Sequence, residues 1–144
     1  MSPDIFFAQS DEDIQACFPA FLALRPHLDG QDLLSRIRRQ QEQGYQILAI
    51  RQNGEVCSVA GFRCAEFLAW GKILYIDDLS TLPQARRQGH ASRLIDELIQ
   101  LGKQLNCQAL HLDSGYQRQL AHRLYLNKGF QLSSHHFSLA LAAC

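Results

Sequence analysis

Nothing in this chain's charge balance points to a polyanionic partner: Lys plus Arg and Asp plus Glu both number 14 among 144 residues, so the formal net charge is zero. Such a balance provides no long-range field to draw in nucleic acid or an anionic membrane, and neither is expected as a partner. No apolar run approaches the roughly 20 residues needed to cross a bilayer. Met1-Ser2-Pro3-Asp4 also lacks the basic start and apolar stretch of a secretion signal, so a cytoplasmic location is the default expectation. Cys17, Cys57, Cys64, Cys107 and Cys144 form no CxxC pair, and their odd number argues against a disulfide framework. Each reads as a small buried hydrophobe. Repeats, low-complexity tracts and linkers are missing too. With 47% hydrophobic and 19% charged residues, the composition is that of an ordinary globular chain, and a single domain is expected over 1–144.

What is present is a succession of short amphipathic segments. Residues 5–8 read as a strand. Ser10-Asp11-Glu12-Asp13 has the form of a capping box, and Ile14, Cys17, Phe18, Phe21 and Leu22 follow the spacing of a buried helical stripe. Pro19 falls inside that stripe and is expected to kink or shorten the helix. A second helix is predicted over 32–43, with Leu33, Leu34 and Ile37 inward and Gly44 at the left-handed position after its end. Its Arg36, Arg38 and Arg39 read as a solvated face. Residues 45–51 and 55–65 read as strands joined by the hairpin signal Asn53-Gly54, and 72–82 extends the meander. From 89 to 105 the residues Ala91, Leu94, Ile95, Leu98, Leu101 and Leu105 keep helical spacing. A strand over 108–113, a helix over 120–128 and an extended segment over 130–141 complete the reading.

The junction between the 72–82 strand and the following helix carries the chemistry. The phosphate loops GxxxxGK[ST] and GxGxxG are both missing. Instead the chain reads Arg86-Arg87-Gln88-Gly89-His90-Ala91 where a strand passes into a helix. The first amides of a helix have no partner within it, and its dipole favours negative charge there. Gly89 permits close approach to the backbone, Ala91 keeps the next position small, and Arg86 or Arg87 adds charge-assisted contacts. The turn is therefore a candidate cradle for phosphate.

Residues Thr81 to Ala91 resemble the pyrophosphate signature of the GNAT superfamily of acyl-CoA-dependent N-acetyltransferases. Arg86, Gly89 and Ala91 match its [Q/R]-x-x-G-x-[G/A] core, and Pro83 stands where that family often has proline. Leu124-Tyr125-Leu126-Asn127-Lys128-Gly129-Phe130 is similar to its later aromatic-Tyr-xxx-Gly-Phe segment. The resemblance implies an α/β (α+β) fold: a mixed, twisted sheet of six to seven strands, flanked by about four helices and splayed between the fourth and fifth strands. It implies acetyl-CoA as cosubstrate, entering that splay, and no metal. By matching positions, the Leu79-Ser80-Thr81 strand end meets the pantetheine arm through its backbone. Arg86 and the amides of Arg87, Gln88, Gly89, His90, Ala91 and Ser92 surround the pyrophosphate. Ser114 stands at a coenzyme-contacting loop position where many relatives carry asparagine, a departure from the family pattern.

A primary amine, with a pKa of about 10.4, must lose a proton before attacking a thioester. Ile76-Asp77-Asp78-Leu79 is similar to an acidic pair in polyamine acetyltransferases of that superfamily. Neighbouring strand residues face opposite sides, so one of Asp77 and Asp78 is expected to line the cleft while the other is structural or exposed. Asp77 has the parity of the base found in several relatives. A backbone N–H near Leu79 stabilises the oxyanion if the strand bulges there. Tyr125, at the matching family position, protonates the departing thiolate. Two functions follow from the resemblance. One is transfer of acetyl to a primary amine by direct attack in a ternary complex, a small molecule being slightly favoured over a protein acceptor. The other is a noncatalytic acyl-CoA-binding or regulatory module. A homodimer agrees with the family and with the apolar tail of Phe137, Leu139 and Leu141. His111 and Asp113 share a strand face and read as hydrogen-bonding partners, and His135-His136 reads as a surface turn, not metal ligands.

Overall fold

The central strands are runs of consecutive buried residues, so the sheet must be covered on both faces. A computed structural model describes residues 4–115 and 118–142. The chain forms two units, Met1–Leu112 and Asp113–Cys144. The first contains β1 (Asp4–Phe7), α1 (Asp11–Ala16), α2 (Phe18–Leu24), α3 (Leu33–Gln41), β2 (Gln46–Gln52), β3 (Glu55–Phe67), β4 (Gly71–Thr81), α4 (His90–Gln104) and β5 (Ala109–Leu112). The strands lie in the order β1-β2-β3-β4-β5. All neighbours are antiparallel except β4 and β5, which are parallel and joined through α4.

Local chemistry accounts for these boundaries. Ser10 Oγ accepts the Asp13 amide at 3.1 Å to start α1. Proline has no N–H to continue a helix, so the single helix expected around Pro19 is two: Cys17 ends α1 and begins α2, whose first turn takes Pro19. Asp32 caps α3 through the Ser35 amide at 3.2 Å. Asn53 and Gly54, with φ of 55° and 79°, form the tight β2–β3 turn that needs two left-handed residues.

The two faces of the sheet are covered differently. Ile47, Ala49 and Val59 join Ile14, Cys17, Ala20, Phe21 and Ile37 in one apolar cluster beneath α1–α3. Leu48 and Ile50 alternate to the opposite side. There α4, with Leu94, Ile95 and Leu98 fully buried, runs against β2, β3, β4 and β5.

The second unit holds α5 (Gln119–Asn127). Gly129, at φ 96°, lets the Phe130 amide reach the Tyr125 carbonyl at 3.0 Å and the Gly129 amide reach Leu126 at 3.1 Å. This closure sets the Phe130 ring 5.9 Å from that of Tyr125, the apolar contact usual in such a helix end. The similarity read in Tyr125 to Phe130 thus has a local structural basis.

The sheet corrects the expected strand number. Among the described residues it has five strands, not six to seven, and residues 130–142 form no strand. Alternation at Phe137, Leu139 and Leu141 is a strand signal, but a strand requires a ladder partner, and this segment has none among the described residues; those side chains are exposed. Among the described residues there are five α-helices where about four were expected, because of the break before Pro19. No helix among the described residues is long and apolar enough to cross a membrane.

Leu98→Ala, which empties a fully buried position on α4, is expected to lower unfolding free energy by about 3 kcal/mol in urea denaturation. Leu68→Ala, at an exposed position, should change it by less than about 0.5 kcal/mol.

Candidate active site

One extra residue in β4 shapes the site. Phe62 of β3 pairs with Ile76 and Gly61 with Asp78, leaving Asp77 without an opposite residue. A bulge of this kind interrupts the alternation of side chains. As a result Tyr75, Asp77 and Asp78 all line one cavity of about 610 Å³, within the size range of small-molecule sites. The expectation that only one aspartate would face the cleft is corrected: alternation holds from Tyr75 to Asp77, and the bulge adds Asp78. The bulge lies just before Leu79, which is itself back in register with Ala60.

Four residues that sequence reasoning passed over hold the aspartates. Arg63 grips Asp77 with two hydrogen bonds, Nε to Oδ1 at 3.1 Å and Nη2 to Oδ2 at 2.6 Å. Arg25, at the end of α2, donates Nε to Asp78 Oδ1 at 3.0 Å and Nη2 to the Asp77 carbonyl at 3.2 Å. Tyr45 donates its hydroxyl to Asp78 Oδ2 at 2.8 Å. Gly61 makes room for this: a Cβ there would overlap the Tyr45 hydroxyl and ring. A glycine inside the apolar run Val59-Ala60-Gly61-Phe62 is the one local sign of such close approach.

Burial raises the Asp77 carboxyl above its ordinary value of 3.8, against the opposing pull of Arg63, with Asp78 adding to the rise. Tyr45 is pushed well above 10.0, first by burial and then by Asp78, so its hydroxyl stays protonated and remains a donor.

Pairing between β4 and β5 ends at Ile76 with Leu112, and β4 runs on to Thr81 with no β5 residue beside it. The ladder thus ends where β5 ends, and the Leu79-Ser80-Thr81 backbone lies beyond it with no β5 partner. The side chains of these residues serve the fold: Leu79 is buried, Ser80 Oγ donates to the Ala20 carbonyl at 2.6 Å, and Thr81 Oγ1 lies 2.8 Å from Ser58 Oγ.

Beyond Thr81 the chain turns through Pro83–Ala85 into α4. Arg86, Arg87, Gln88 and Gly89 are exposed, and Arg87 and Gly89 have φ of 65° and 81°. A Cβ on Gly89 would meet no protein atom within 4 Å, so φ alone demands glycine there, and the space above the turn is open. Gly89 is the N-cap of α4 and has no side chain to satisfy the first amides, among them those of His90, Ala91 and Ser92. The His90 ring turns inward, with Nε2 3.2 Å from Gln52 Oε1. Its pKa is lowered, chiefly by burial and then by Arg93, which keeps the ring neutral. His90 thus offers a ligand its amide, not its ring.

In the second unit Tyr125 is buried on α5, and burial raises its pKa above 10.0, with Arg118 pulling the other way. Ser114 Oγ is buried and has no hydrogen-bond partner among the described residues. His136 Nδ1 lies 3.3 Å from Asp113 Oδ2, and the His111 ring packs 4.5 Å from Trp70, so the histidines have structural neighbours.

Gly61→Ala is expected to displace the Tyr45 ring and lower unfolding free energy by about 1 to 3 kcal/mol, readable by urea denaturation. Tyr45→Phe, which keeps the ring and removes the hydrogen bond to Asp78, should cost less. Equal stability of Gly61→Ala and the parent protein would show that the ring does not lie over Gly61.

Comparison with known proteins agrees with this geometry. Residues 9–130 match the model of the Acetyltransferase (GNAT) family. The chain is 29% identical over 130 residues to an uncharacterized N-acetyltransferase, YhdJ, of Bacillus subtilis (strain 168), covering 89% of this chain and 92% of that protein. It shares a fold with the ribosomal-protein-alanine N-acetyltransferase of Brucella melitensis biovar Abortus 2308: TM-score 0.82, 17% identity, and 98% and 100% of the two chains covered. A structure of AAC(6')-Iy in complex with the bisubstrate analog CoA-S-monomethyl-acetylneamine aligns with TM-score 0.81 and 14% identity over 100% of both chains. With a glycine-capped helix following β4 and a family match over most of its length, the chain belongs to the GNAT acetyltransferase family.

Proposed function

We propose that residues 1–144 act as one N-acetyltransferase domain that moves acetyl from acetyl-CoA to a primary amine in a ternary complex. The observation that carries this reading is the run of β4 past β5 into the open turn at Arg86 to Ala91. An extended acyl-pantetheine arm can hydrogen-bond to the Leu79-Ser80-Thr81 backbone on the side away from β3, where β5 provides no partner, as a strand would. The amides from Arg87 to Ser92, with Arg86 and the positive end of α4, then receive the pyrophosphate. Ser114, with its unpartnered hydroxyl, belongs to the same set of coenzyme contacts.

Asp77 takes the proton of the amine, because burial makes its carboxylate more basic than an ordinary aspartate. Asp78, engaged by Arg25 and Tyr45, fixes the bulge that aims Asp77. The amine nitrogen attacks the thioester carbonyl, the carbon–sulfur bond breaks as the tetrahedral oxyanion collapses, and Tyr125 gives its proton to the thiolate. A tyrosine raised above 10.0 stays protonated through neutral pH, as this role requires. No metal enters the reaction.

Release of free thiol from acetyl-CoA over a panel of amines tests this function. Acetyl-CoA binding with no thiol release from any amine would instead support a noncatalytic acyl-CoA-binding module. Tyr125→Phe is expected to reduce kcat by roughly 10²-fold or more, and to remove an alkaline decline in rate that lies above pH 10 in the parent protein. Full turnover in Tyr125→Phe would exclude the acid role. For the turn, Gly89→Asn keeps a residue that tolerates positive φ but puts a side chain into the open space. Calorimetry should show its acetyl-CoA Kd raised about tenfold or more, with the circular dichroism spectrum unchanged.

A further inference from the structure

The chemistry of the cavity narrows the acceptor. α3 turns Leu33, Arg36, Ile37 and Gln40 to it, a spacing that marks one helical face, and Arg39 lines it as well. Arg38 goes elsewhere, to the Gln9 carbonyl, Asp11 and Gln41. The three arginines read from sequence as one solvated face therefore divide: one ties α3 to the start of α1, and two border the cavity.

The charges there do not balance internally. Each cavity carboxylate already has its cation, Arg63 for Asp77 and Arg25 for Asp78. Arg36 and Arg39 form no ion pair or hydrogen bond among the described residues. Arg39 acts weakly on Asp32, whose carboxyl is held below its ordinary value first by hydrogen bonds from Ser35 and only last by the field of Arg39. Two exposed guanidinium groups thus stand at the cavity with no ion-pair partner among the described residues. A polycationic amine would be repelled by them, whereas guanidinium forks match carboxylate and phosphate oxygens. Phe21, Leu28 and Ile37 also line the cavity and suit an apolar body.

We propose that the acceptor is an amine that also bears a carboxylate or phosphate, with the anionic group held by Arg36 and Arg39 while the amino group lies at Asp77. This rests on the transferase reading above and specifies its substrate class.

The test compares matched probes: 6-aminohexanoate with 1,6-diaminohexane, L-phenylalanine with L-phenylalaninamide, and phosphoethanolamine with ethanolamine. Thiol release from acetyl-CoA is measured for each, and the same probes are titrated calorimetrically into protein saturated with coenzyme A. The anionic member of at least one pair is expected to have a kcat/KM about tenfold or more above its counterpart, falling as salt rises. The pair that shows it separates carboxylate from phosphate. In the Arg36→Gln/Arg39→Gln variant, KM for the anionic member should rise about fivefold to tenfold with thermal stability retained. Equal or better use of the uncharged or dicationic member in all three pairs, or an unaltered preference in the double variant, overturns the proposal. Binding of an anionic probe without thiol release from any probe would support it and count against the transferase reading. Thiol release with no preference for the anion would do the reverse.

Discussion

β4 is asked to do two things that a regular strand cannot do together: stay paired with β3 along its length and lose β5 halfway. The extra residue at Asp77 falls where these demands meet, directly after the last β4–β5 pair at Ile76. Before it, the strand is an ordinary member of the sheet with Ile73, Leu74 and Ile76 buried. After it, the strand has no β5 partner, and the chain leads into the turn that begins α4. The acidic cavity and the strand edge proposed to receive the coenzyme therefore meet at one point of β4.

Holding two carboxylates on the same side of a strand requires compensation, and distant parts of the first unit supply it. Arg25 comes from the end of α2, Tyr45 from the residue before β2, and Arg63 from β3. Gly61, opposite Asp78, gives up its side chain so that the Tyr45 ring can occupy that space. The break before Pro19 matters here as well, since it separates α2 from α1, and α2 ends in Arg25. Charge pairing at Asp77 does not cancel basicity, because burial still raises its pKa. The site keeps a carboxyl group that holds its proton more readily than one in water.

Features governed by neighbours in sequence were legible in it. Asn53-Gly54 demands a left-handed turn, the apolar stripe of α4 demands burial, and Gly89 stands where φ is positive. The bulge entered the sequence reading only as a condition near Leu79, drawn from the family resemblance; its place at Asp77 depends on the register of two strands at once, and with it went the inference that Asp77 and Asp78 face opposite ways. The ion pairs of Arg25 and Arg63 span 53 and 14 residues, beyond any local pattern. The tail from 130 to 142 shows the opposite failure: its alternation is a genuine strand signal, yet alternation cannot provide a partner. Likewise the run Arg36 to Arg39 gives no hint that its members face two environments.

Hydrogen–deuterium exchange with and without acetyl-CoA tests the central claim most directly, because it reads the backbone groups on which that claim rests. Slowed exchange is predicted for the amides of 87–92 and for β4 beyond Ile76, with β1 and β2 unchanged. Unchanged exchange in the turn and in that stretch of β4 at saturating acetyl-CoA, or protection confined to other elements, would contradict the account.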